Sequence, residues 1–453
     1  MIEDIAADDP VKHQNKIREI FELSWPVMAG MILQSFLSTV DTYFISKLGT
    51  SQSAAASLAN SATSVIFVIS TLVSAGTIAL VSRSFGEGDM DSVRKFSGES
   101  LMLSAIIGAL LSIICYIYTD DIIRILFHPG PTELKYAKEY LSIIFPATVL
   151  VFLNSALRTI FQAYGDTRTP LYIFGISNVI NAFLCYLFMR VLKFGIRGSA
   201  LAAVIAMAYS FISINIRVIK KIYDSDIKSF IKSLKLFAGD SIRILKIGGW
   251  ACVQQVARPI TGAVMYGLIY QVGGKEGTAA FGIGGQLFNY TFIVLAGLST
   301  GIAIMIGQSL GRGDVDGCDS LIKEGMKFAF INIIAFSILY VIFPASMMKA
   351  FINDPLVIKD GVGYLRIVYI GIIFSTFTTI YGGVFQGAGD TFPPMLASMV
   401  ANVVLKVPIA YALAKTFRLG TNGVWIAVAL SVVFEAFILI FYFKQNKWKE
   451  KKI

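Results

Sequence analysis

Apolar runs long enough to cross a bilayer recur twelve times along the chain, each closed by a short polar break. A span needs about 20 mostly apolar residues. Such runs fall at roughly 20–47, 54–82, 96–118, 136–163, 170–190, 196–221, 245–271, 277–307, 320–345, 361–388, 394–416 and 421–443. The pattern predicts an all-α polytopic membrane protein with twelve transmembrane helices. An N-terminal six-helix lobe covers 1–221, a cytoplasmic connector 222–243, and a C-terminal six-helix lobe 244–453.

The two lobes repeat one another. Phe161, Gln162, Gly165, Asp166, Thr167 and Pro170 recur as Phe385, Gln386, Gly389, Asp390, Thr391 and Pro394. Gly86, Gly88 and Asp89 recur as Gly311, Gly313 and Asp314, Asn178 as Asn402, and Gly195 and Gly198 as Gly420 and Gly423. The offset is 224 or 225 throughout. An even number of spans per copy gives both copies one orientation. The lobes are therefore expected to be parallel repeats about an axis along the membrane normal, a construction common among transporters.

Composition agrees: 55% of residues are hydrophobic and 15% charged, against roughly 25% charged in a soluble domain. The net charge of +10 is a topology signal and not a nucleic-acid one. Lys220, Lys221, Lys228, Lys232, Lys235, Arg243 and Lys246 gather at the connector, and Lys444, Lys447, Lys449, Lys451 and Lys452 in the tail. Positive residues stay cytoplasmic, so both termini are expected inside, although Arg124, Lys135, Lys138, Arg190, Lys193 and Arg197 fall outside. Between Asp224 and Asp240, Phe230, Ile231, Leu234 and Phe237 alternate with lysines. That reads equally as a short amphipathic helix on the inner leaflet or as a solvated linker. Acidic residues at the start (Glu3, Asp4, Asp8, Asp9) followed by a full first span give no sign of a cleavable leader. Cys115, Cys185, Cys252 and Cys318 have neither metal nor disulfide spacing. A GxxxxGK[ST] phosphate loop does not occur, so ATP-driven transport would need a partner.

The repeated motifs suit turns. Glycine permits positive φ and aspartate bonds its own backbone, and a proline fits the first turn of the following helix. Together, in this spacing and twice, they are more specific than any one alone. The chain resembles the multidrug and toxic compound extrusion family from Ile20 to Lys444. The resemblance rests on Pro26, Gln34 and Asp41 in span 1, on the Gly86–Asp89 and Gly311–Asp314 turns, on both Phe-Gln-x-x-Gly-Asp-Thr-x-x-Pro stretches, and on Gly195 to Gly198. It implies two six-helix lobes facing each other across a central cavity. It also implies export of amphipathic, often cationic compounds in exchange for protons or sodium.

Charges inside spans are costly and usually functional or paired. Asp41 is the clearest. Gln34 and Ser38 precede it by seven and three residues, making one polar helix stripe that should face a protein interior. The resemblance puts the coupling carboxylate at Asp41, and Pro26 is a candidate point for span 1 to bend. Span 5 presents Asn178, Asn181 and Cys185 on one face. In relatives with a cation site in this lobe, the span 1 aspartate is joined by an asparagine, a second aspartate and a threonine. Asn181 matches the asparagine. Cys185 and Ala203 stand where the other two belong, which puts sodium binding in doubt. Another branch couples through carboxylates in spans 7 and 10, where this chain has Arg258 and Ser375. The C-terminal lobe instead carries Arg258, Lys406 and Glu435; Lys406 and Glu435 lie at similar depth and are expected to pair, with a substrate or proton-relay role as the alternative. Arg258 does not release its proton, so it suits an ion pair or an electrostatic gate.

The expectation is a non-enzymatic, monomeric antiporter in the plasma membrane of a prokaryote. It needs no cofactor beyond a proton gradient, with sodium the less favoured ion. Its partners are drug-like cations and membrane lipids, and not nucleic acid. Thirty-four Phe, nineteen Tyr and fourteen Met suit a permissive cavity, though most are ordinary filler. The rivals are a lipid-linked oligosaccharide or lipid flippase of related fold, a sodium-coupled drug antiporter, a membrane-embedded enzyme and a non-transporting sensor. No HExxH or Gly-x-Ser-x-Gly motif supports the enzyme.

Overall fold

The computed structural model describes residues 10–127, 130–451 and 453; the acidic N-terminal residues lie outside it. Among the described residues the regular structure is helical throughout. In chain order the helices are α1 (Pro10–Ser46), α2 (Thr50–Glu87), α3 (Met90–Ile117), α4 (Thr119–Phe127), α5 (Pro131–Ile144), α6 (Thr148–Ala163), α7 (Arg168–Tyr186) and α8 (Ile196–Ile222). They continue as α9 (Ile227–Ser233), α10 (Ala238–Gly311), α11 (Val315–Ile342), α12 (Pro344–Lys349), α13 (Pro355–Gly387), α14 (Phe392–Ser398), α15 (Lys406–Tyr411) and α16 (Gly420–Lys444).

Ten described helical stretches are long and apolar enough to span a membrane. The difference from twelve has two physical causes. The first is α10, which runs for 74 residues. At 1.5 Å per residue that is about 110 Å, several times a hydrocarbon core of roughly 30 Å. It is two spans broken at Gly274, whose φ of 61° and ψ of −151° leave the helical region. The second is a span made of two pieces, α5 and α6, bent by 50° across Phe145 to Ala147. A break there frees backbone carbonyls that lipid cannot satisfy. Ser112 on α3 supplies the donor, its Oγ lying 2.8 Å from the Phe145 oxygen and 2.9 Å from that of Pro146.

The duplicated turns form as their residues dictate. Gly88 and Gly313 take φ of 78° and 73°, a region that penalises any side chain. The next residue caps the following helix. Asp89 accepts from the backbone N–H of Ser92 at 3.0 Å, and Asp314 from that of Gly317 at 2.8 Å. After α6 and α13 the Asp166 and Asp390 amides return to the Phe161 and Phe385 carbonyls, at 2.9 and 2.8 Å.

Two compact units result, and the chain changes unit inside two helices. Of the described residues, one unit holds those within 29–249; the other holds 10–28 and those from 250 onward. The first stretch of α1 therefore packs in one unit and its remainder in the other, with the change just after Pro26; α10 does the same near its own start. The crossings are repeat-related. Gly76 on α2 lies against the Ile244 backbone in one unit, and Gly301 on α10 against Ser24 and Ile20 of α1 in the other. Small residues allow this close approach between helices.

The connector is helical over less of its length than the alternation suggested. Only α9 forms, and α10 starts anew at Ala238. Glu99 on α3 accounts for the restart: fully buried, it accepts from the Phe237 N–H at 2.9 Å and from the Ser241 hydroxyl. The Phe237 N–H is a backbone donor that a helix start leaves free, and the Ser241 hydroxyl adds a second bond from the first turn. Ser233 rests on Gly98, and Arg94 bonds Asp224 at 2.5 Å and the Ile222 carbonyl at 2.8 Å. The connector is thus fastened to the first turns of α3.

Candidate functional site

Asp41 sits one turn from the end of α1, half-buried. Opposite it on α7 lies Cys185, fully buried. The thiol is 3.4 Å from Asp41 Oδ1 and 3.1 Å from Asn181 Oδ1. One S–H hydrogen serves one acceptor at a time, so the thiol lies between a carboxylate and an amide oxygen and can satisfy either. Cys185 is therefore more than a ligand lost from an oxygen cage: it is Asp41's hydrogen-bond partner. Its place on α7 follows from helix spacing, since Asn181 precedes it by four residues and shares its face.

The rest of the span 1 stripe is arranged differently. Gln34 and Ser38 are exposed. Asn178 reaches α1 through a long bond of 3.5 Å from its Nδ2 to the Leu33 carbonyl, which is a packing contact between the two helices. Pro26 is buried well inside α1, which begins at Pro10. It therefore lies in the helix interior and not in a first turn, where a proline is tolerated. Its ring removes one helical hydrogen bond, two residues before the chain changes unit. Among the described residues no group of three His, Cys, Asp or Glu side chains could hold a metal ion.

The second candidate set lies wholly in the other unit. Glu435 on α16 is 3% exposed; Arg258 on α10 approaches its Oε1 to 3.8 Å. Asn402 donates to its Oε2 at 3.1 Å. Lys406 donates not to Glu435 but to Asn402 Oδ1, at 3.4 Å. The expected Lys406–Glu435 pair is therefore bridged by an amide, and the cation at ion-pair distance from Glu435 is Arg258. Asn402 lies in a π-helical segment, Met399–Leu405, that joins α14 to α15. The matching stretch of α7 is regular α-helix. A π turn shifts side-chain register and is frequent at functional sites. Arg258 also lies over the Phe292 ring at 5.0 Å. Two cations thus attend one carboxylate, leaving the cluster one positive charge in excess.

Sequence reading missed other groups. Arg158 on α6 stands over the Phe67 ring at 5.9 Å; as a charge in a span it carried the same signal as Asp41. Tyr140 on α5, 7% exposed, lies within electrostatic range of Asp41 and Cys185. An aromatic in an aromatic-rich chain gives no such signal.

The MatE family model matches the chain twice, over residues 26–187 and 251–412. The two matches start 225 residues apart, which is the repeat offset. Among curated proteins, "Probable multidrug resistance protein NorM" of Thermotoga maritima is 24% identical over 444 residues, covering 96% of this chain and 94% of that one. The "FAD transporter" of Shewanella oneidensis is 25% identical over 432 residues, covering 91% of each. Among solved structures, "Crystal structure of MATE in the bent conformation" superposes with a TM-score of 0.88 at 20% identity, over 97% of this chain and 98% of that one.

Proposed function

The chain belongs to the MatE family of multidrug efflux transporters, and on that premise we propose that it is a proton-coupled antiporter exporting amphipathic cations. It works as a monomer in the plasma membrane of a prokaryote, with both termini cytoplasmic. The observation that supports this most is the contact of Asp41, through the Cys185 thiol, with Asn181.

The step is a proton exchange. With Asp41 ionised, the thiol donates to it and ties α1 to α7. A proton arriving on the carboxylate removes the need for that donor, and the thiol turns to Asn181 Oδ1. The tie is then lost, and α1 is free to bend at Pro26, where its hydrogen-bond ladder is already interrupted. A hard cation wants several oxygens at once. Here a thiol and the methyl of Ala203 fill two of the places, so the proton is the better coupling ion. The test is ethidium efflux from vesicles holding the purified protein under an imposed pH gradient. Asp41→Asn is expected to fold and to bind ethidium but to lose gradient-driven efflux; full efflux by that variant removes Asp41 from the role.

A second reading concerns cargo. Arg258 and Lys406, both half-buried, outnumber the buried Glu435, and a cation partly withdrawn from water favours a counter-charge. An acidic group on the cargo would balance it. One relative is named an FAD transporter, and FAD carries a diphosphate. On this reading the preferred substrates are amphipathic zwitterions, with the basic excess receiving their acidic end. Binding of rhodamine B, whose carboxylate is free, is then tighter than that of its ethyl ester, and Lys406→Gln abolishes the difference. Equal binding of acid and ester by the unmodified protein removes this reading and leaves proton coupling untouched.

A further inference from the structure

At the connector-side end of α7 and α8 the unit holding residues 29–249 has an open cavity of about 550 Å³. Its walls change character with depth. Toward the membrane they are Tyr172, Ile176 and Ile216, of which Tyr172 is 60% exposed and the isoleucines about half. At the end nearer the connector they are Arg217, Lys220 and Lys221. Asp166 also lines the cavity, and it is already engaged: Lys221 donates to its Oδ2 at 2.6 Å, and Thr169 holds it from the N–H at 2.9 Å and the hydroxyl at 2.8 Å. Arg217 and Lys220 have no carboxylate partner among the described residues. Three cations therefore meet one carboxylate, and two of the three are unspent.

This rim was not inherited with the fold. At the offset of 225 that relates α8 to α16, Arg217, Lys220 and Lys221 correspond to Tyr442, Gln445 and Asn446. In the second unit the aspartate equivalent to Asp166 is Asp390, and the chain's own tail serves it, with Lys451 donating at 2.9 Å. The first unit has neither the neutral residues nor the tail at this place. It has open space bordered by free cations.

We infer that this cavity is a binding site for one anionic phospholipid, its phosphate held by Arg217 and Lys220 and an acyl chain lying along Tyr172, Ile176 and Ile216. Basic pockets between membrane helices at the cytoplasmic surface recognise such headgroups, and exposed apolar side chains below the rim suit the chain that follows. Free phosphate would use the same two cations but would gain nothing from the apolar wall. The lipid therefore binds more tightly than its headgroup alone. Occupation would add an anion beside Lys221 and so bear on the Asp166 turn, which joins α6 to α7.

The test is native mass spectrometry of the full chain, released from detergent with phosphatidylglycerol, phosphatidylcholine or inorganic phosphate. Surface cations contribute about 1 kcal/mol each toward anionic lipid, so two give a preference for phosphatidylglycerol over phosphatidylcholine of about 30-fold. The double variant Arg217→Gln, Lys220→Gln is expected to lose that preference while keeping its melting temperature, since neither residue has a partner to lose. The charge-conserving double variant Arg217→Lys, Lys220→Arg is expected to keep it. Millimolar phosphate is expected not to displace the lipid. Equal retention of the two lipids, a preference that survives the glutamine variant, or displacement by millimolar phosphate would each overturn the assignment.

Discussion

The thiol of Cys185 lies 3.4 Å from the Asp41 carboxylate, joining α7 to α1 across 144 residues of sequence. Its consequence is selective. Cys185→Ser keeps a donor and is expected to transport nearly as well as the unmodified protein. Cys185→Ala leaves the half-buried carboxylate without its donor, a loss of about 1 kcal/mol, the low end of the range for a buried group. It is expected to slow pH-driven efflux several-fold while substrate binding changes little. Equal transport by the alanine and serine variants would show that the contact is incidental.

Restoring oxygen ligands should change the ion. Cys185→Asp combined with Ala203→Thr places a second carboxylate and a hydroxyl where the thiol and methyl now stand. The double variant is expected to acquire efflux driven by a sodium gradient at fixed pH, which is not expected of the unmodified protein. An unchanged sodium response in a folded double variant would count against the ligand argument.

In the other unit the partnership is between Arg258 and Glu435. Removing one member of a buried pair costs about 3–5 kcal/mol, and less here because Arg258 is 39% exposed, so about 1–3 kcal/mol is expected. Glu435→Gln should melt earlier than the unmodified protein, and adding Arg258→Gln should recover much of the loss. Adding Lys406→Gln instead should recover less, because Asn402 and not Glu435 accepts from it. Melting in detergent separates the two.

The duplicated caps give a prediction outside the membrane. Asp89→Ala and Asp314→Ala are each expected to cost about 0.5–2 kcal/mol. Hydrogen bonds from the Ser92 side chain and N–H hold the Asp89 carboxyl below its ordinary 3.8. A depressed folded value means that the stabilisation is present above the ordinary one and is lost as pH falls through the lower one. The melting difference between Asp89→Ala and the unmodified protein should therefore be full at neutral pH and shrink below about pH 3.8.

What the sequence made legible was local or costly. The turns at Gly88–Asp89 and Gly313–Asp314 were legible because positive φ and helix capping are decided within a few residues. Asp41 and Glu435 were legible because a charge in a span needs a reason. Partnerships between helices were not. Lys406 and Glu435 match in depth, but the π segment at Met399–Leu405 sets Asn402 between them, and no residue type announces a π turn. Cys185 was read by the ligand it fails to be, whereas a thiol's ability to donate depends on which acceptors another helix brings. The bend between α5 and α6 falls inside what reads as one apolar run, 136–163. Whether the freed carbonyls would find a donor depended on Ser112, far away in sequence.

Proton coupling is tested most directly with the unmodified protein in sealed vesicles, by following ethidium efflux under one gradient at a time. With a pH gradient and no sodium, efflux is expected to run against the ethidium gradient and to stop when the pH gradient is collapsed. With a sodium gradient at equal pH, it is expected to stay at the rate of passive leak. Uphill efflux driven by sodium alone would contradict the account.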